Sequence, residues 1–313
     1  MNQLFRYTFS YFIISMICLL IFLFFFPAFE PKLIFCDVGQ GDAILLTSGF
    51  TQVLVDGGID ESVLSCLSEN MSFWDRDLEV VVATHADGDH IGGLVKTLES
   101  YRVREIFVPD HSAESEAFYQ LVAGIKAQKQ AGAKVRVGNY GQEIVLSSNF
   151  RALILHPFLA DQSKNEATHL WESLLAEDTL QDFNNSQFSI FNDQDINKND
   201  ESIVLLVSLG NSKILLTGDL EEKGEKALIA NGLTTKIDVL KAGHHGAKTS
   251  SSAEFINRIQ PEKVIISSGQ NNTYGHPHPE VLAEFKHLGA QVYRTDKLGS
   301  IKLMSEEGHL QIK

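Results

Sequence analysis

Residues 84–93 read THADGDHIGG, and they directly follow the apolar run LEVVVA of residues 78–83. The apolar run predicts a buried β-strand, and the turn after it leads into a predicted helix. Side chains at a strand end that turns sharply project toward one point, so four potential ligands are expected to converge. They are His85, Asp87, Asp89 and His90. Two imidazoles and two carboxylates suit a divalent metal with mixed nitrogen and oxygen ligands, and the alternative is a solvated acidic turn.

Further potential ligands end other apolar runs. They are Asp56 in LVDGG, Asp219 in LLTGD, His244 and His245 in KAGHHG, and His276 and His278 in YGHPHP. Each has an ordinary explanation when taken alone, because an Asp at a strand end often caps a helix and a His often packs. Together with THADGDH they predict one site, in which the single carboxylate of Asp219 can bridge two metal ions.

Six motifs together resemble one family. They are DVGQGDAILL, LVDGG, THADGDHIGG, NDESIVLLVSLGNSKILLTGD, LKAGHHGAKTSS and NTYGHPHPEVL. As a set they resemble the metallo-β-lactamase superfamily from about Leu33 to the C-terminus, and within it the hydrolase domain of ComEC-type DNA-uptake (competence) proteins. The resemblance implies an α/β (α+β) fold, an αββα sandwich with a metal site at one edge, and a phosphodiesterase or nuclease activity. The parent family's membrane channel is not expected from one hydrophobic helix, so a tethered, stand-alone relative is predicted.

The resemblance also implies ligand roles for two divalent metal ions, Zn²⁺ or Mn²⁺. The implied ligands are His85 and Asp87 on the first ion, Asp89 and His90 on the second, Asp219 between them, and one of His244 and His245 on the second. The superfamily's third first-site histidine has no obvious counterpart, and Asn199 is the nearest candidate. An oxygen-rich first site favours Mn²⁺ over a three-histidine zinc site. Asp56 and His278 are expected behind the ligands, where carboxylates commonly orient a ligand histidine.

The expected chemistry is metal-assisted hydrolysis. Asp89 is expected both to bind metal and to orient the attacking water, and His276 to hydrogen-bond the phosphoryl group or protonate the leaving oxygen. Four side chains around HHG are candidates for binding flanking phosphates: Lys241, Lys248, Thr249 and Ser250. Lys248 is the best of these, although an exposed lysine is more often solvated surface.

Composition limits the function classes. The chain has 313 residues and a formal net charge of −14, which argues against a protein whose whole surface binds nucleic acid. Half of that charge lies in the Asn-, Asp- and Glu-rich stretch of residues 157–200, which predicts a solvated insertion or lid with one short helix near Leu170–Ala176. The three cysteines are too few for a disulfide framework, and Cys36 and Cys66 have no convincing redox partner.

The N-terminus predicts a membrane anchor. From Thr8 to Phe26 no residue is charged and Ile, Leu and Phe dominate, which is typical of a transmembrane helix over about 8–26. The predicted organisation is an anchor over residues 1–30 and a hydrolase domain over 31–313, with an acidic insertion at about 157–200. A cleaved signal peptide is the alternative, but PAFEPK offers no small-x-small cleavage site. Arg6 before the helix predicts an extracytoplasmic catalytic domain.

The predicted function is a membrane-tethered, metal-dependent phosphodiesterase or nuclease acting on DNA. Two alternatives stay open: a hydrolase of another envelope ester, such as a phosphorylcholine-type phosphodiester or a lactone, and a non-catalytic metal-stabilised module for DNA uptake. A dinucleotide site is not expected at GQGDAI, because Ile44 stands where a third glycine is required and a strand follows. A tight turn at the sheet edge is predicted there instead, with Gln40 and Asp42 reaching toward the site.

Overall fold

A computed structural model describes residues 3–25, 30–148, 150–158, 161–175, 197–306 and 309–313. In these residues the strands are β1 (Lys32–Phe35), β2 (Ile44–Ser48), β3 (Thr51–Val55), β4 (Asp77–Val82), β5 (Arg102–Val108), β6 (Lys134–Val137), β7 (Glu143–Ser147), β8 (Phe150–His156), β9 (Val204–Leu209), β10 (Ser212–Leu216), β11 (Val239–Lys241), β12 (Lys263–Ile266), β13 (Gln291–Arg294), β14 (Ile301–Glu306) and β15 (His309–Ile312). The helices are α1 (Gln3–Phe25), α2 (Ser62–Asn70), α3 (Gly88–Ser100), α4 (Glu116–Gln130), α5 (Asp161–Leu174), α6 (Glu222–Ala230), α7 (Ala253–Ile259), α8 (Pro279–Leu288) and α9 (Thr295–Leu298).

The strands form two sheets. One has the order β15-β14-β1-β2-β3-β4-β5-β6, and the other has the order β13-β12-β11-β10-β9-β8-β7. Strands β3 to β6 run parallel in the first sheet, as do β10 to β13 in the second. Because neighbouring parallel strands end at the same edge of a sheet, the residues that follow β3, β4, β10 and β11 are brought together.

Apolar side chains fill three layers. Residues such as Phe35, Phe107, Phe150 and Leu216 are buried between the two sheets. A second layer lies between the first sheet and α2 to α5, and a third lies between the second sheet and α6 to α8. Strands that are buried on both faces have continuous apolar sequences, and the central strands of this protein have such sequences. The predicted αββα sandwich is therefore confirmed.

Helix α5 corrects the expectation for the acidic stretch. It begins at Asp161 rather than near Leu170, and it ends at Leu174, one residue before the last one described in this stretch. Its Trp171 is buried, and the indole Nε1 donates a hydrogen bond to the Pro109 carbonyl at 2.8 Å. This part is therefore packed against the domain rather than solvated. Ala176 and the residues up to 196 lie outside the described residues, so a lid there stays a prediction.

The cysteines also correct an expectation. Cys36, which follows β1, and Cys66, in α2, form a disulfide with their Cα atoms 5.9 Å apart. Both side chains are buried. The sequence did not indicate this pair because the two residues lie 30 positions apart and meet only when α2 packs on the first sheet.

The N-terminal helix α1 exposes the side chains described for it, those of residues 7–19. Within the part of the chain that the structure describes, no helix has both the length and the apolarity that crossing a bilayer demands. The anchor and its orientation stay predictions.

Candidate metal centre

The first sheet supplies one half of the site. His85 comes three residues after the end of β4, Asp87 lies at the N-cap of α3, and Asp89 and His90 occupy the first turn of that helix. His85 and His90 are fully buried. An acidic side chain in the first helical turn is stabilised by the free N–H groups and the dipole of the helix.

The second sheet supplies the other half. Asp219 follows β10, and His244 and His245 follow β11 in the short 3₁₀ segment Gly243–Gly246. The φ angles of His244 and His245 are 44° and 55°, in the left-handed region that non-glycine residues seldom adopt. Such residues cost on the order of 1–3 kcal/mol each and concentrate at functional sites. This backbone turns both consecutive imidazoles toward Asp219, whose Oδ2 lies 3.7 Å from His244 Nε2 and 3.4 Å from His245 Nε2.

Six side chains converge at the centre. His90 Nε2 lies 3.2 Å from Asp219 Oδ1 and 3.3 Å from His245 Nε2. His245 Nε2 also lies 3.4 Å from Asp89 Oδ2. On the other side His85 Nε2 lies 3.8 Å from Asp219 Oδ2 and 3.9 Å from Asp87 Oδ2. Among the described residues, four sets of three have ligand atoms within 4.8 Å of one another. The two sets without Asp42 overlap at His90: His85, His90 and Asp219, and Asp89, His90 and His245.

These residues fit a divalent metal ion. Ligand atoms about 2.0–2.1 Å from a tetrahedral ion lie roughly 3.3 Å from one another, which is the spacing found around His90 and His245. The buried His85 Nε2 has no hydrogen-bond partner among the described residues. Buried polar atoms are nearly always partnered, so this nitrogen indicates a missing ligand. Burial and the charge of His90 hold the pKa of His85 well below its usual value, which leaves the ring neutral and able to bind a cation.

Groups behind the histidines orient them. His90 Nδ1 lies 2.8 Å from Asp56 Oδ2, and His245 Nδ1 lies 3.0 Å from the Ser267 carbonyl oxygen. Because each Nδ1 donates to an oxygen outside the cluster, each Nε2 is directed inward, as is typical of metal-binding histidines. Asp56 is itself held by the backbone N–H and the hydroxyl of Thr84, at 2.8 and 2.7 Å.

His244 has a similar arrangement. Its Nδ1 lies 2.9 Å from Glu221 Oε1 and 3.3 Å from Asn199 Nδ2. Asn199 therefore contacts the back of His244, and the structure does not bring it to the ligand cluster. The resemblance implied one metal-binding histidine in HHG, but both His244 and His245 approach Asp219.

The carboxylates and the histidines control each other's charge. Burial by itself would raise the pKa of Asp89, but the hydrogen bond from His245 and the charge of His90 hold it well below its usual range. Burial also opposes protonation of His245, but the nearby Asp219 and Asp89 raise its pKa to about 9. Without a cation the acidic groups therefore draw a proton onto His245.

The structure corrects the expectation for Lys241. Its side chain is completely buried, and its ammonium contacts the Asp42 carboxylate, donates to the Gly218 carbonyl at 2.8 Å and lies 3.7 Å from Asp219 Oδ1. Burial would lower the pKa of Lys241, but Asp42 and Asp219 raise it, so it stays charged. The expectation that Lys241 binds flanking phosphates is wrong because its ammonium is enclosed.

The other expected phosphate-binding side chains lie outside the cluster. Lys248 is exposed, with its Nζ 3.4 Å from Glu280 Oε1. The Thr249 hydroxyl donates to Glu221 Oε1 at 2.7 Å, and the Ser250 hydroxyl donates to the Gly243 carbonyl at 2.6 Å. Of the four, Lys248 is the one whose cationic head reaches solvent.

His276 and His278 lie beside the cluster. The His276 ring centroid lies 5.4 Å from that of His244, and the His278 centroid lies 5.3 Å from His276. Burial and the charges of His244 and His245 lower the pKa of His276 to about 4. A ring that is neutral at pH 7 has one N–H and can donate it in a hydrogen bond to a phosphoryl oxygen. It is not the protonated imidazolium that would act as a general acid toward the leaving oxygen.

Two residues near the centre were not found from the sequence as contributors to it. Glu221 holds His244, and His111 follows the end of β5 next to β4. His111 Nδ1 lies 3.0 Å from Asp110 Oδ1, and its buried Nε2 has no partner in the described part of the chain. The signal was present in REIFVPDH, an apolar run that ends in Asp and His as LEVVVATH ends in His.

Comparisons with known proteins show which proteins this chain is similar to. A model of the metallo-beta-lactamase superfamily matches residues 36–163. The chain is 27% identical over 308 residues to ComE operon protein 3 of Bacillus subtilis (strain 168), covering 91% of this chain and 35% of that protein. It is 40% identical over 110 residues to Competence protein ComA of Neisseria gonorrhoeae, covering 35% of this chain and 16% of that protein. The chain thus spans about a third or less of the length of these relatives.

A solved structure supports the fold. The metallo-beta-lactamase fold protein YhfI from Bacillus subtilis aligns with a TM-score of 0.50 at 13% identity, covering 91% of this chain and all of that one. At that identity the likeness concerns the fold. Taken together, the matches confirm the resemblance to the metallo-β-lactamase superfamily and to its ComEC-type members, and the sandwich has the fold of that superfamily.

Proposed function

We propose that this chain is a metal-dependent phosphodiesterase that hydrolyses DNA. The observation that carries the proposal is the inward convergence of three imidazole nitrogens, from His85, His90 and His245, on the carboxylates of Asp89 and Asp219. A module that used metal only for stability would need one closed set of four ligands. Here two of the candidate sets share His90, and Asp219 belongs to one of them and lies 3.4 Å from His245 of the other.

Bound divalent cations would lower the pKa of a water molecule and offset the negative charge of a phosphodiester. The protein contributes position and proton control. Asp89 is about a quarter exposed, whereas Asp219 is almost completely buried. The depressed pKa of Asp89 keeps its carboxylate ionised. This carboxylate can therefore accept a hydrogen bond from the attacking water and orient that water.

The leaving and non-bridging oxygens need donors. His276 lies at the side of the cluster, neutral at pH 7, and can donate one hydrogen bond to a phosphoryl oxygen. Because it lacks a second proton there, the leaving oxygen must take its proton from water. His244, held by Glu221, lies between His276 and Asp219 and completes the wall of the site.

DNA as the substrate rests on the resemblance to ComEC-type DNA-uptake proteins, and two relatives have names that agree with that resemblance. One is named for the ComE operon and another as a competence protein. Because the chain spans about a third or less of each relative, their whole-length activities do not transfer directly.

An extracytoplasmic, membrane-tethered location belongs to the same proposal. The run from Thr8 to Phe26 supports the tether, and the Cys36–Cys66 disulfide supports an oxidising compartment, since disulfides seldom persist in the cytoplasm.

The test uses the purified full chain, loaded in turn with Mn²⁺, Mg²⁺ or Zn²⁺, on single- and double-stranded DNA. We expect divalent metal to copurify and DNA to be cleaved. Asp89→Asn and His245→Ala should each lower kcat by about 100-fold or more. His169→Ala, on the exposed face of α5, is the matched control and should leave both metal content and rate unchanged.

Three results would contradict the proposal. Turnover of phosphorylcholine esters or lactones without DNA cleavage would identify another esterase. DNA binding without turnover in any metal would identify a non-catalytic module. Cleavage that survives both substitutions would place the chemistry elsewhere.

A further inference from the structure

An exposed tyrosine stands at the rim of the centre. Tyr274 is 64% exposed, and one face of its ring stacks on His276 with centroids 5.8 Å apart and planes 26° apart. The His276 centroid lies 5.4 Å from that of His244, whose Nε2 contacts Asp219. Nucleotides rise about 3.4 Å each along a strand, so Tyr274 lies within a few nucleotides of the centre.

The loop that carries Tyr274 is held in place by Asn272. The Asn272 Oδ1 accepts from the backbone N–H of His276 at 3.0 Å, and its Nδ2 donates to the carbonyls of His276 and Gly269 at 2.7 and 2.9 Å. The N–H of Gly269 donates in turn to Gln40 Oε1 at 3.3 Å, which ties the loop to the turn before β2. These bonds hold the loop backbone on both sides of Tyr274, and the His276 ring lies against the tyrosine ring.

Among the described residues near the centre, few cationic side chains are available to bind the phosphates of a DNA strand, so base stacking is needed as a source of affinity. Lys241 is enclosed against Asp42, and Lys248 is paired with Glu280. The chain carries a formal net charge of −14, so phosphate attraction outside the metal centre is weak. Aromatic side chains bind bases through their π faces with little dependence on sequence, and this contribution does not need a basic surface.

We propose that Tyr274 is a stacking platform for a base of single-stranded DNA, which positions the strand for the metal centre. This inference rests on the proposed function and adds the substrate class. A base inside a duplex is already stacked on its neighbours, so only a single strand or a frayed end presents a free face to Tyr274. The site therefore selects single strands by base stacking.

The test measures binding by fluorescence anisotropy and cleavage by kinetics, on the metal-loaded full chain. A phosphorothioate single-stranded oligonucleotide serves for binding, and an abasic oligonucleotide of equal length lacks the stacking partner. We expect Tyr274→Ala to weaken binding of the base-containing strand and to raise its KM, each about tenfold, with kcat and metal content unchanged. Tyr274→Phe should retain wild-type affinity because the ring remains. On the abasic strand, wild type and Tyr274→Ala should bind equally.

Tyr140→Ala is the matched control, since Tyr140 is 51% exposed and its ring packs against Phe158 in the loop between β6 and β7. Equal affinity of wild type and Tyr274→Ala for the base-containing strand would overturn the inference. So would an equal loss on the abasic strand, which would make Tyr274 a support for its loop, or a wild type that binds no single strand. If the stacking pattern appears without cleavage, hydrolysis fails as the function while the platform stands.

Discussion

Asp56 lies behind the centre in a left-handed backbone conformation, with φ of 57°. Its Oδ2 accepts from His90 Nδ1, and both of its oxygens accept from Thr84. Because the conformation is costly for most residues, the fold stabilises it where it directs His90 inward.

We expect Asp56→Asn to lower divalent-metal affinity by about 10- to 100-fold. Asn tolerates the left-handed conformation and keeps the shape of the side chain, so the fold should persist. The measurement is a metal titration with circular dichroism as the check on folding. Asp60→Asn, in an exposed loop, is the control. An unchanged metal affinity would show that Asp56 stabilises the local backbone and does not orient His90 for metal binding.

Metal binding should release protons. With the pKa of His245 near 9, the metal-free protein holds a proton there at pH 7, and a cation must displace it. Affinity should therefore rise with pH through the range around 9. Titration calorimetry in buffers of different ionisation enthalpy gives the number of protons released, expected to be at least one. Identical heats in every buffer would contradict this.

At the scale of elements, the turn before β2 is built against the start of α3. A Cβ at Gly41 would lie 1.7 Å from the carbonyl oxygen of Asp89, and the φ of Gly41 is +99°. The turn thus fixes the first turn of α3, which carries Asp89 and His90.

Gly41→Ala should therefore lower both stability and metal content, because the methyl group must displace the backbone of Asp89. The control is Gly132→Ala, since Gly132 has a similar φ of +105° but open space around the added Cβ. It should cost about 1–2 kcal/mol in backbone strain and leave metal content intact. Thermal unfolding and metal analysis of both variants test this, and equal metal content in the two would contradict it.

Glu225 joins α6 to the start of α7. Its carboxylate accepts from the N–H groups of Ser251 and Ser252, and burial raises its pKa to about 6 although these bonds oppose the shift. Because the folded-state pKa lies above the usual 4.5, the contribution of this group to stability is full below pH 4.5 and is lost as pH rises through 6.

The loss should be about 2 kcal/mol at most, at 1.36 kcal/mol per pKa unit. We expect Glu225→Gln to remove this part of the pH dependence, so the stability difference between variant and wild type should change between pH 4.5 and 7. Denaturant unfolding of metal-free protein at several pH values measures it. A difference constant with pH would show that Glu225 does not titrate in this range.

At the scale of the whole molecule, the anchor and the disulfide make one joint prediction. Alkaline phosphatase, a reporter that is active only outside the cytoplasm, should be active when it is fused after residue 313. Cys36 and Cys66 should resist alkylation until they are reduced. A chain that begins at residue 31 is the control and should lose reporter activity. A fusion active only in the cytoplasm, with both thiols free, would overturn the orientation.

The sequence alone determined the local parts of this protein. The apolar run of residues 78–83 located β4, and the helix predicted beyond the turn that follows it is α3. The ligand types of THADGDHIGG were readable because strand, turn and helix start lie within ten residues. The period of a strand and the chemistry of a ligand are properties of a short stretch, so they need no tertiary information.

The tertiary structure decided which residues meet. Lys241 reads as a surface cation but is enclosed by Asp42, about 200 positions earlier in the chain, and Cys36 finds Cys66 only when α2 packs on the first sheet. Likewise His244 and His245 both reach Asp219, while Asn199 lies behind His244, because of the left-handed turn after β11. These pairings depend on how two sheets stack and where their strand ends cross, and that geometry is set by the whole core rather than by any one stretch.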